Sequence, residues 1–489
     1  MLNRRNFSHI VLNVTGMVLP MLVGVAVVPG LIQRLGQDRF GALALAWALV
    51  GYFGLLDLGL GRALTQYLSR EQAAGMALDK QAAMARTARR LMVWIGMGWA
   101  TLLLLATPLI GTTISMPADV RAEAPAAWAM LAIAVPLLMW STCSTGVLEA
   151  RSRFVSINSV RVPAGAATFC VPWLIALITN DLRAIMAGLL LVRLVTAFAF
   201  AWLARSEFRT DITGPVGGLR SLLRFGGWLT ISNVVGPFLS YFDRFAIAAL
   251  LSMAAVTHYT VSFDVLTRLP ALSVAMMGVL FPLLAHTHGL EKQEPASTAR
   301  LIDSATRLLV AFWLPALAMV SLLGPLFLNM WVGPELAQLS TSVWHWLAVG
   351  VVVNGFAHLP HTLLQSAGRT DSIAKIHLSE LLPYCLALWW ALMHWGVVGA
   401  AMVWTARVII DTGLLFFCGM RQFPTSGRVL RRGLAWAAAS GCLLALIGWS
   451  HQANAEPPAG QANGIFLVVS TTCAAFWCGY HLYYLRQTK

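Results

Sequence analysis

Fourteen times along this chain an apolar run of about twenty residues begins, near residues 8, 40, 91, 125, 154, 183, 221, 255, 306, 342, 373, 396, 433 and 464. An α-helix rises 1.5 Å per residue, so about 20 such residues cross the roughly 30 Å hydrocarbon core of a bilayer. Within that core only helices and closed barrels satisfy every backbone N–H and C=O. Runs of this length predict an all-α integral membrane protein of about fourteen transmembrane helices. Charged residues make up 11% of the chain, against about 25% in soluble domains, which excludes a water-soluble fold.

The formal net charge of +14 raises nucleic acid as a partner, and the distribution of the basic residues argues against it. With the N-terminus placed inside, the inner loops and tails hold 24 of the 34 Lys and Arg, among them Arg4, Arg5, Arg86, Arg89, Arg90, Arg151, Arg153, Arg205, Arg431 and Arg432. The outer loops hold Arg34, Arg39, Arg121 and Arg183. This is the asymmetry that fixes membrane topology, and one missed span would invert it downstream. Both termini are therefore expected inside. The opening segment MLNRRNFSHIVLNVTGMVLP reads as a retained first span, too long for a signal-peptide core.

Six arginines remain inside the spans: Arg62, Arg161, Arg193, Arg244, Arg268 and Arg407. The acids there are Asp57, Asp243, Asp264, Glu380 and Asp411. Each costs about 2.5 to 3.5 kcal/mol at a helix centre, so these groups must face protein or a wet cavity. They recur at an offset of six spans. Spans 2 and 8 each carry an acid followed by an arginine (Asp57 and Arg62; Asp264 and Arg268), and spans 6 and 12 each carry a mid-span arginine (Arg193; Arg407). Such a repeat predicts two parallel six-helix bundles, residues 1–210 and 211–425, with two appended helices in 426–489.

Structural pairing is the alternative to function for these charges. Asp264 and Arg268, like Arg407 and Asp411, are four apart and can neutralise each other on one helix face. Asp57 and Arg62 in LLDLGLGRAL are five apart, about 140° around a helix, and need separate partners unless Gly59 and Gly61 loosen the turn. Glu380 likewise lacks a well-spaced partner on its own helix. The histidine pairs His286/His288 and His358/His361 have no converging Cys or carboxylate, which disfavours a metal site. Tryptophans such as Trp94, Trp173, Trp331, Trp344 and Trp346 are expected in the interfacial belt. The seven cysteines include no CxxC and read as small buried hydrophobes. No GxxxxGK[ST] loop is present, and no cofactor is expected.

Two stretches carry a family resemblance. RLGQDRFGALALAWALVGYFGLLDLGLGRALTQYLS, from Arg34 to Ser69, resembles the start of polysaccharide flippases of the multidrug/oligosaccharidyl-lipid/polysaccharide exporter superfamily. FGGWLTISNVVGPFLSYFDRFAIAALLSMAAVTHYTVSFDVLTRLPAL, from Phe225 to Leu272, is similar to the start of that family's second half. The resemblance implies two bundles around a central cavity. It also implies movement of undecaprenyl-diphosphate-linked oligosaccharide, an O-antigen or exopolysaccharide repeat unit, across the bacterial inner membrane.

On that reading the six arginines line the cavity and neutralise the diphosphate, because guanidinium stays charged and grips phosphate through paired donors. The acids Asp57, Glu380, Asp243, Asp264 and Asp411 serve coupling, to H+ or Na+, or gating. Partners are the polyprenyl-linked glycan and the lipid bilayer, with a polysaccharide polymerase and a chain-length regulator as further candidates. An ion-coupled multidrug exporter shares the fold, but a cation-exporting cavity should lean acidic. A membrane polymerase is the enzymatic alternative, and the short outer loops speak against it.

Overall fold

The computed structural model of the protein describes residues 4–55, 60–73, 77–114, 116–151, 153–209, 235–236, 238–290 and 295–453. Every regular element among them is helical. The elements are α1 (Arg4–Leu55), α2 (Leu60–Ala73), α3 (Leu78–Thr113), α4 (Ala118–Ala150), α5 (Phe154–Ala176), α6 (Leu182–Leu203) and a 3-10 turn η1 (Arg205–Phe208). There follow α7 (238–250), α8 (Met253–Leu266), α9 (Ala271–Leu290), α10 (Pro295–Val332), α11 (Pro334–Ser366), α12 (Thr370–Gln422), η2 (Pro424–Ser426) and α13 (Gly427–Ala453).

Two of these helices are too long to be single spans. A straight helix of the 52 residues of α1 would reach about 78 Å, far more than a bilayer. Both α1 and α12 break at a glycine in the left-handed region, Gly36 (φ 75°) and Gly396 (φ 56°), a conformation that a Cβ makes costly. The expected runs near 8 and 40, and near 373 and 396, are the paired arms of these two helices. Among the described residues nine helices are long and apolar enough to cross a membrane, or ten when α8 and the start of α9, bent by 42° at the Thr267–Pro270 turn, count as one. Dividing α1 and α12 at their glycines raises ten to twelve. The runs near 221 and 464 lie largely outside the described residues, as does the expected bundle limit at 210.

The chain forms two compact units, Met1–Thr257 and His258–Lys489. In the first, the two ends of the bundle are chemically distinct. At one end Arg39 bridges Glu123 and Asp119, each at 2.8 Å, while Glu123 also accepts the Leu182 N–H at 2.7 Å and Asp181 caps α6 through the Arg183 N–H. At the other, Arg86 donates to the Phe208 carbonyl at 3.1 Å, Arg151 pairs with Glu207 at 2.9 Å, and Arg89 lies 4.3 Å over the Phe208 ring. The arginines named here, assigned above to outer and inner loops, thus lie at opposite ends of this unit. Between them Leu60, Leu64 and Leu68, one per turn of α2, pack on Met84, Ala88 and Met92 of α3 and on Met139, Cys143 and Val147 of α4.

In the second unit α11 is the axis, with 83% of its apolar window buried and α9, α10, α12 and α13 packed around it. Lipid tails are as apolar as leucine, so close van der Waals fit rather than a hydrophobic drive holds such helices together. Glycines provide the fit: Gly355 abuts Trp313, Gly324 abuts Trp344 and Gly350 abuts Trp404. The indole N–H of Trp313 reaches Ser273 Oγ at 2.9 Å and that of Trp344 reaches the Val320 carbonyl at 3.1 Å. Trp344 is therefore a core residue and not an interfacial one, whereas Trp94, 74% exposed, keeps an outward face.

Candidate functional site

The charged groups of the spans separate into two kinds. In the first unit they are dispersed. Asp57 lies outside the described residues. Arg62 falls in the first turn of α2. Arg161, two turns into α5, pairs with Glu149 of α4 at 3.3 Å and keeps its guanidinium about half exposed (46%). Arg193 is half-buried in the middle of α6. Asp243 and Arg244 are both buried in α7: the Arg244 backbone N–H donates to Asp243 Oδ1 at 2.8 Å, and its guanidinium reaches the Ser240 carbonyl and lies over Tyr241.

In the second unit four groups converge. Gly396 turns α12 into a hairpin, so as one arm advances by about a turn the other retreats by one. This register sets His377 opposite Asp411 (3.4 Å) and, one turn on, Glu380 opposite Arg407 (3.3 Å). The Arg407 guanidinium also lies 5.9 Å from the Tyr384 ring. Glu380 and Asp411 are 7% and 5% exposed. Neither oxygen of Glu380 nor Oδ1 of Asp411 accepts a hydrogen bond among the described residues. From α11, His358 and His361 lie within the electrostatic reach of Asp411.

Asp264 and Arg268 do not share a regular helix face. Helix α8 ends at Leu266, and Arg268 is exposed in the turn before Pro270, while Asp264 is half-buried. Arg407 and Asp411, also four apart, each face a partner on the opposite arm. His377, Tyr384 and Glu149 were not among the residues singled out from sequence. The signal that could have found His377 and the Glu380–Arg407 pair is the hairpin register around Gly396. No group of three or more His, Cys, Asp or Glu is placed to hold a metal ion among the described residues.

Residues 31–341 match the profile of a family described as "Polysaccharide biosynthesis protein". The chain belongs to this polysaccharide biosynthesis protein family. A relative in Shigella flexneri, named "Putative O-antigen transporter", is 26% identical over 404 residues, covering 82% of this chain and 95% of that protein. Two solved structures share the fold. The lipid II flippase MurJ in an inward closed conformation aligns with a TM-score of 0.72 at 10% identity, over 97% of this chain and 100% of that one. An inward-facing multidrug resistance transporter of the MATE family aligns with a TM-score of 0.70 at 14% identity, over 85% and 99%. The family member described here is thus an all-α, multi-pass membrane protein that shares the fold of these two solved structures.

Proposed function

We propose that the protein is a flippase for a polyprenyl-diphosphate-linked oligosaccharide, moving it from the inner to the outer leaflet of the bacterial inner membrane with both termini in the cytoplasm. The observation that carries this reading is the similarity to the Shigella flexneri protein along 95% of its length, together with the six arginines set within the apolar runs of the sequence. The reading makes the protein a transporter and not a catalyst.

Arg161 and Arg268 keep exposed guanidinium groups, and an arginine facing hydrocarbon is expensive. On this reading each of the two meets water or the anionic cargo and not lipid. Paired N–H donors suit a diphosphate, while the glycan crosses in water and the lipid tail stays in the bilayer. The glycan itself, an O-antigen or exopolysaccharide repeat unit, would then pass to a polymerase and a chain-length regulator. Coupling to H+ or Na+ through the buried acids supplies the direction of transport.

Export of lipid-linked oligosaccharide in cells carrying Arg62→Ala and Arg62→Lys, with protein levels checked on membranes, tests the assignment. Loss in both variants at normal protein level supports bidentate phosphate contact. Normal export in both removes Arg62 from the path. A second reading, an ion-coupled multidrug exporter, is favoured by the likeness to the MATE structure; cells made resistant to cationic drugs by the protein, with unchanged surface polysaccharide on its deletion, would establish it instead.

A further inference from the structure

The four side chains that meet across the α12 hairpin do not balance. Glu380 and Asp411 bring two carboxylates, Arg407 one guanidinium, and His377 an imidazole that is neutral unless protonated. Both acids are more than nine-tenths buried, and three of their four oxygens accept no hydrogen bond among the described residues. Uncompensated charge in a dry interior is heavily penalised. The group becomes neutral when it gains one positive charge.

We propose that this cluster is a binding site for a single exchangeable proton, held between Nε2 of His377 and Oδ1 of Asp411, whose uptake and release couple the transport cycle. The proposal rests on the transporter reading above and names the coupling ion of that reading. On uptake, H+ from the aqueous phase adds to the His377–Asp411 pair, giving imidazolium beside carboxylate, and Glu380 with Arg407 completes a neutral set. On release, H+ returns to water and no other bond changes. The two carboxylates then repel with only Arg407 between them, so the position of one arm against the other, hinged at Gly396, follows the proton.

A proton fits better than a sodium ion. Hard metal cations take oxygen ligands, whereas one of the two groups that face each other here is an imidazole nitrogen, His377 Nε2, 3.4 Å from Asp411 Oδ1. The imidazole of His377 touches the site, and those of His358 and His361 lie within electrostatic reach of Asp411. The groups acting on Glu380 are Asp411, Arg407 and His377; on His358 of α11 they are His361 and Asp411, and on His361 they are His377 and Asp411. Helix α13 also packs on α12, but its Arg428, Arg431, Arg432 and Cys442 are not among the acting groups. His345, buried further along α11, lies about 20 Å from His358 along the helix.

The test is a pH titration of the purified full-length protein by infrared difference spectroscopy, in potassium and in sodium buffer, paired with export of lipid-linked glycan from cells. Asp411→Asn and His377→Gln should each remove one titration step of the wild type. Exchange of potassium for sodium should leave that step in place. Export should fall by about tenfold or more, within the usual range of coupling between sites. Where Asp411→Asn lowers the amount of protein in membranes, Glu380→Gln serves as the second variant: it neutralises the hairpin without a proton and should shift the same step. A step that survives all three substitutions, or one displaced by sodium, overturns the proposal. Wild-type titration as expected, in cells whose export survives deletion of the protein, would keep the proton site and remove the flippase reading.

Discussion

Thr257 donates its hydroxyl to the carbonyl of Gln37 across 220 residues of chain, at 2.6 Å. The contact is possible because Gly41, one turn further along α1, lies directly against the Met253 carbonyl and has no room for a side chain. The start of α8 is thereby held backbone to backbone on the second arm of α1.

Gly41→Leu forces these two helices apart. Overpacking of this kind costs about 1 to 3 kcal/mol, and thermal unfolding of the purified protein in detergent should show the loss. Thr257→Ala removes one interhelical hydrogen bond, worth about 0.6 kcal/mol in membrane proteins, and should lower the midpoint much less. Equal effects of the two would mean that the hydroxyl, and not the close approach, holds the contact.

Breaking one member of a buried ion pair leaves the other charge stranded. Arg407→Met should therefore destabilise the protein by about 3 to 5 kcal/mol, and Glu380→Gln added to it should restore much of that. A double-mutant cycle on unfolding measures the coupling between the two positions. Additive effects would place Arg407 and Glu380 with separate partners.

Gly396 sits at φ 56°, where a Cβ meets the following carbonyl. Gly396→Ala should cost about 1 to 2 kcal/mol, read as a lowered unfolding midpoint, even though nothing within 4 Å would touch the new methyl group. The same substitution at Gly413, which lies in regular helix with open space around it, should be neutral or slightly stabilising.

Arg39 joins α1 to α4 through Glu123, which also accepts the Leu182 N–H of α6. Glu123→Gln keeps an acceptor for Leu182 and weakens the arginine contact, so it should be milder than Glu123→Ala. Protease nicking between α5 and α6 should rise in the alanine variant and stay near the wild-type level in the glutamine variant.

Much of the fold was legible because lipid imposes one simple rule on sequence. Runs of about twenty apolar residues can only be spans, and the Lys and Arg between them record which end each helix presents. Arg39 beside Glu123, and Arg151 beside Glu207, stand at the ends where that record puts them. What could not be read was side-chain partnership between spans. His377 and Asp411 are 34 positions apart, and their pairing follows from the turn at Gly396, which no periodicity announces. The tight glycine seats of Trp313, Trp344 and Trp404 were hidden for the same reason: tryptophan near a span end has the same sequence appearance whether it meets lipid headgroups or a neighbouring helix.

The hairpin of α12 has a consequence for how the protein is made. Alone, the first arm would present Glu380 to hydrocarbon as bare charge, and the second Arg407 and Asp411, at about 2.5 to 3.5 kcal/mol for each group. Folded at Gly396 before or during entry, the two arms shield Glu380 with Arg407 and Asp411 with His377, so both spans can enter the bilayer together as one insertion unit. Insertion of residues 370 to 422 as a pair would therefore cost less than insertion of either arm alone, because the charges would enter already matched.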